Sequence, residues 1–100
     1  MQTRIQKQAA AIAFFRKGWA TDTNSPYSAA LVAVADKWMG RDIPDDATLQ
    51  AFCHELFVAN GGHEETAHDM QECLQCTVDA EYFAEFGYTD YDMWLNLAKQ

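Results

Sequence analysis

Apolar residues recur at spacings of three and four along almost the whole chain, and no run of alternating β-branched residues reads as a strand. The clearest stripe is Leu49, Phe52, Cys53, Leu56 and Phe57, one face of a helix with a period near 3.6. A chain patterned in this way buries its apolar stripes by packing helix on helix. The expectation is therefore an all-α fold: a compact single-domain bundle of five or six short helices covering residues 1–100.

Punctuation divides the pattern. A first helix is expected over about Thr3–Trp19, with Ile5, Ala9, Ile12, Phe15 and Trp19 as its inward stripe. Thr21–Ser25 is turn chemistry; Ser25 is placed to cap the next helix, with Pro26 at its first helical position. That second helix presents Tyr27, Leu31, Val34, Ala35 and Trp38, and Gly40 stops it. Pro44, Asp45 and Asp46 open a third helix, where acids suit the positive end of the dipole, and Asn60-Gly61-Gly62 ends it. A fourth begins near His63 and turns Met70, Cys73, Leu74, Thr77 and Val78 inward. Its other side carries Glu65, Asp69, Glu72 and Asp79. Tyr82, Phe83 and Phe86 fall off that phase, which predicts a kink or break after Asp79. Gly87 closes the region. Thr89 with Asp92 reads as a capping box for a last helix burying Tyr91, Trp94, Leu95 and Ala98.

With 49% hydrophobic and 13% aromatic residues, 100 residues suffice for one self-sufficient core, and intrinsic disorder is excluded. Three cysteines are an odd count, which argues against a disulfide framework and for a reducing compartment. The apolar run Ala9–Phe15 is interrupted at once by Arg16 and Lys17, so it does not read as a signal peptide. No stretch approaches the ~20 apolar residues of a membrane span. A cytoplasmic location is expected.

Charge is distributed unevenly. Residues 1–41 carry six basic and two acidic side chains, net +4; residues 42–100 carry Lys99 alone against thirteen acids, net −12. Acidic surface of this density repels nucleic acid and membranes and attracts basic proteins. Nine of the carboxylates fall within the 29 positions Glu64–Asp92: Glu64, Glu65, Asp69, Glu72, Asp79, Glu81, Glu85, Asp90 and Asp92. Such a surface imitates phosphate spacing, since Lys and Arg clusters respond to charge before identity. The plainer role of a charge run is a solvated face. What favours a partner-binding role is one-sidedness.

Three other constellations compete. Cys53, His54, His63, His68, Cys73 and Cys76 lie within 24 positions, and Cys73-Leu-Gln-Cys76 has the spacing of a zinc half-site. Helical geometry opposes it: Cys53 is mid-stripe, His54 lies about 100° round the helix, and no second C-x-x-C follows. Cys53 and Cys73 read as small core residues, so no cofactor or metal is expected, with Cys73, Cys76, His63 and His68 as the alternative ligand set. No nucleophile elbow, phosphate-binding glycine loop or triad-like order is present, so the expectation is a non-enzyme with no catalytic residues. Phe14, Met93 and Leu97 fall off their helices' stripes and would serve an apolar interface, such as that of a homodimer. Burial on two sides of the bundle would place them equally well.

In size, charge and helicity the chain resembles the small acidic proteins with which phages and other mobile elements inhibit bacterial machinery, anti-CRISPR proteins being the best-known group. The resemblance implies a stoichiometric inhibitor that covers a basic, DNA-binding surface on a CRISPR surveillance complex. The partner is then a protein with a basic nucleic-acid-binding site, with no direct contact to nucleic acid or membrane. The resemblance transfers no individual residue.

Overall fold

A computed structural model of the chain describes residues 3–78, the side chain of Cys76 excepted. Four helices account for most of them: α1 (Arg4–Thr21), α2 (Ser28–Trp38), α3 (Asp46–Ala59) and α4 (Glu65–Val78), with no strand among the described residues. The further helix expected after Thr89 and the break expected after Asp79 lie outside the described residues.

Local chemistry starts and stops each helix. Thr3 and Gln6 form a capping box at the head of α1: Gln6 N–H donates to Thr3 Oγ1 at 3.2 Å, and Thr3 N–H donates to Gln6 Oε1 at 2.9 Å. Asp45 caps α3 by accepting from the Thr48 backbone N–H at 2.9 Å and its hydroxyl at 2.7 Å. These two bonds hold the Asp45 carboxyl below its ordinary pKa. The end of α3 is a Schellman motif, with Gly62 N–H donating to Phe57 C=O and Gly61 N–H to Val58 C=O. That motif needs a left-handed residue, and Gly61 supplies it at φ 68°.

The start of α2 differs from the sequence expectation. Ser25 Oγ accepts from Tyr27 N–H two residues on, closing a tight local turn, and Pro26 sits in that turn. Helix begins at Ser28, whose hydroxyl donates back to Asp22 C=O.

Each helix packs on its chain neighbour, and α4 closes the ring against α1. The core between them contains Ala11, Ile12, Leu31, Ala35, Trp38, Ile43, Leu49, Phe52, Cys53, Leu56, Ala67, Met70, Cys73 and Leu74. Full burial of a Leu, Ile or Phe side chain contributes about 1.5–3 kcal/mol, so this cluster is the main stabilising element. The stripes read from sequence in α2, α3 and α4 all face it, with Tyr27, Val34, Phe57 and Val78 at its margin.

In α1 the expected stripe meets the core through Ile12, Phe15 and Trp19 and departs from it in the first turns. Ile5 is 40% exposed, while Gln8 is fully buried beside Ala11 and Ile12. A glutamine occupies a core position because the loop after α2 brings it a matched partner. Gln8 Nε2 donates to Ile43 C=O at 2.8 Å, and Ile43 N–H donates to Gln8 Oε1 at 3.0 Å. Gln8 Nε2 also reaches Thr77 Oγ1 near the end of α4 at 2.9 Å. One side chain thus fastens three parts of the fold.

Candidate functional site

The carboxylates expected to form a partner-binding face fall into two groups. Glu64, Glu65, Asp69 and Glu72 lie at the start and along the outside of α4, and all four are exposed. Asp79, Glu81, Glu85, Asp90 and Asp92 lie outside the described residues, as do Met93 and Leu97.

How these charges are balanced separates the two halves of the described chain. Among the bases of residues 1–41, Arg4, Arg16 and Lys37 meet acids: Arg4 forks onto Asp42 through two bonds of 2.7 Å, and Arg16 bonds Asp36 at 2.6 Å. Lys37 bonds Glu55 at 2.6 Å, and Trp38 Nε1–H donates to the other oxygen of the same carboxylate at 2.8 Å. Arg4 therefore holds Asp42, and Lys37 with Trp38 holds Glu55, below the usual carboxylate range. On α4 the situation is reversed. Among the described residues no Lys or Arg pairs with Glu64, Glu65, Asp69 or Glu72; Glu72 meets only the imidazole of His68, at 3.1 Å.

Beside this face runs a groove of about 320 Å³ between α3 and α4. From α3 it is lined by Gln50, Cys53, His54 and Phe57, and on the other side by Glu64, just before α4, and by Ala67, His68 and Gln71 of α4. Both sets follow the spacing i, i+3, i+4, i+7, so each is one stripe of its helix. The two helices are joined by the tight turn at Asn60–Gly62, and Gln75 Nε2 donates to Asp46 Oδ1 at the opposite end, which makes them an antiparallel pair. The stripes therefore run side by side in opposite directions. Phe57 and Glu64 stand near the turn, and Gln50 and Gln71 near the open end. Buried Cys53 and Ala67 form the floor, and exposed His54 and His68 flank it. Burial pushes the Cys53 thiol up to about 11, so the floor is uncharged at neutral pH.

The cysteine and histidine constellation is distributed through this region. Cys53 and Cys73 are buried free thiols, His54 and His68 border the groove, and exposed His63 faces the Tyr27 ring at 5.9 Å. Among the described residues no three His, Cys, Asp or Glu side chains converge as a metal site. The Cys76 side chain is outside the description. Phe14 is half-buried and meets Phe15 edge-on at 6.0 Å. The large apolar side chains most open to solvent are Val58, at 62%, and Ile5.

The groove was not anticipated from sequence, although its two quartets are visible there as a second stripe on each helix. The chain is thus an all-helical domain with an uncompensated acidic helix and an adjacent polar groove. It matches no known family model, no curated protein and no solved structure. Among the described residues no helix is long and apolar enough to cross a membrane.

Proposed function

We propose that this chain is a non-enzymatic, stoichiometric inhibitor of the kind that phages and mobile elements direct against bacterial defence complexes. In this reading the outer face of α4 occupies a basic, nucleic-acid-binding site on the target and excludes the nucleic acid. The observation that carries it is the unequal balance of charge. Arg4, Arg16 and Lys37 are paired with Asp42, Asp36 and Glu55, whereas Glu65, Asp69 and Glu72 project from one helix with no Lys or Arg paired to them among the described residues. Exposed carboxylates with no Lys or Arg partner exchange water and counterions for a partner's lysines and arginines.

The test is competition for a purified CRISPR surveillance complex between this chain and duplex DNA carrying the matching target. Near-equimolar chain is expected to reduce DNA binding, with the inhibition weakening steeply as salt rises from about 0.05 to 0.3 M, as surface electrostatics require. Joint replacement Glu65→Gln, Asp69→Asn and Glu72→Gln is expected to remove most of it. Inhibition that is indifferent both to salt and to this triple replacement rejects charge mimicry.

A further inference from the structure

We propose that the α3–α4 groove seats an arginine side chain of the partner. This deepens the inhibitor reading and rests on it: the acidic face attracts a basic surface, and the groove takes one specific residue from it. The groove's polar lining is Glu64 at one end, Gln50 and Gln71 at the other, and His54 and His68 along its sides; no Lys or Arg among the described residues lines it.

The preference for arginine over lysine follows from shape. A guanidinium is planar, carries five N–H donors in a fixed fork, bonds a carboxylate through two parallel hydrogen bonds and stacks on aromatic faces. Phe57 stands at the same end of the groove as Glu64, and the His54 ring lies near-parallel to it at 27°, with 6.4 Å between centroids. A guanidinium against the Phe57 ring reaches Glu64 with two parallel donors, and the carboxamides at the other end lie about two helical turns away. An ammonium has three donors and no flat face, so it uses the carboxylate alone. The helix ends are compatible with the charge. The C-terminal carbonyls of α3 lie at the turn beside the start of α4, and the negative end of one dipole offsets the positive end of the other.

The experiment is an NMR titration of the full chain with N-acetyl-arginine amide, set against its lysine counterpart and the citrulline counterpart, which keeps the shape without the charge. Saturable shifts at Phe57, His54 and Glu64 are expected with arginine, at least tenfold weaker affinity with lysine, and no saturation with citrulline. Glu64→Gln and, separately, Phe57→Leu are each expected to weaken arginine binding about tenfold, whereas the Glu65, Asp69, Glu72 triple replacement leaves it within about threefold. Shifts that follow the triple replacement instead of Glu64, or equal response to lysine, overturn the proposal. So do shifts at these residues that appear on raising protein concentration alone, because a second copy is then the occupant. The two readings fail separately. Arginine binding without inhibition of DNA binding removes the inhibitor reading and leaves the groove. Inhibition lost in the triple variant but intact in both Glu64→Gln and Phe57→Leu leaves the acidic face and removes the groove.

Discussion

Gln8 and Ile43 exchange two hydrogen bonds, the Gln8 amide accepting from the Ile43 N–H at 3.0 Å and donating to its C=O at 2.8 Å. The pairing copies the way two backbone amides meet in a β-ladder, but one partner is a side chain on α1. It satisfies both polar groups of a residue whose own side chain is fully buried. Gln8→Leu keeps the volume and leaves the Ile43 N–H and C=O buried without this partner. An unsatisfied buried group costs about 1–3 kcal/mol, so a loss of about 2–5 kcal/mol is expected in urea unfolding. A loss under about 0.5 kcal/mol would show that the amide is dispensable.

Gly61 combines a left-handed backbone with a close approach. A Cβ built there falls 2.4–2.6 Å from ring atoms of Tyr27, and φ is already 68°. Gly61→Ala is expected to lower stability by about 1–2 kcal/mol from the backbone alone. Pairing it with Tyr27→Ala relieves the clash but not the backbone cost, so a double-mutant cycle measures the two contributions apart.

Glu55 accepts from Lys37 and from the Trp38 indole. Lys37 is half-exposed, so Lys37→Met is expected to change stability by less than about 1 kcal/mol. Glu55→Ala also strands the indole N–H of a buried Trp38 and is expected to cost about 1–3 kcal/mol. Equal effects of the two replacements in thermal unfolding would contradict this division of roles.

Stability should fall at both ends of the pH scale, for opposite reasons. Asp42, Asp45 and Glu55 have lowered pKa values in the folded state, so the folded chain favours their ionised forms. Their contribution is complete above their unfolded values and is lost as pH falls through the folded ones, below about pH 4. Cys53 is the reverse: its thiol is raised from 9.0 to about 11, so the folded state favours the protonated form. That contribution is present below about pH 9 and is lost as pH rises toward 11. Denaturant midpoints measured from pH 2 to 11 check both limbs, and Cys53→Ala is expected to flatten the alkaline one. The same shift predicts that Cys53 reacts with iodoacetamide at pH 8 about tenfold more slowly than an unburied thiol, the smaller thiolate fraction being partly offset by the greater nucleophilicity of a more basic thiolate.

How much of this was legible in the sequence depended on whether the cause was local. The three-and-four spacing of Leu49, Phe52, Cys53 and Leu56, the cap at Asp45 and the glycine stop after Asn60 act within a single helix. Helix identity and three of the four inward faces followed from them. Pro26 misled because a proline suits a tight turn as well as a helix's first position, and the Ser25–Tyr27 hydrogen bond decided between them.

Along α1, Ile12, Phe15 and Trp19 face the core as their spacing indicates, but the burial of Gln8 in place of Ile5 was settled only by tertiary structure. The pattern of the helix admits two neighbouring faces, and hydrophobicity alone favours the one containing Ile5 over the one containing Gln8. A buried amide is unfavourable until its hydrogen bonds are met. Those bonds come from Ile43 and Thr77, 35 and 69 residues away in the chain, and periodicity carries no information about them. The groove has the same origin. Each helix encodes its own second stripe, but only the antiparallel packing of α3 on α4 sets the two side by side. Sequence by itself determined which segments are helical, where glycine ends α3 and where charge lies, because those causes are local; the fold decided which of the helix faces meet.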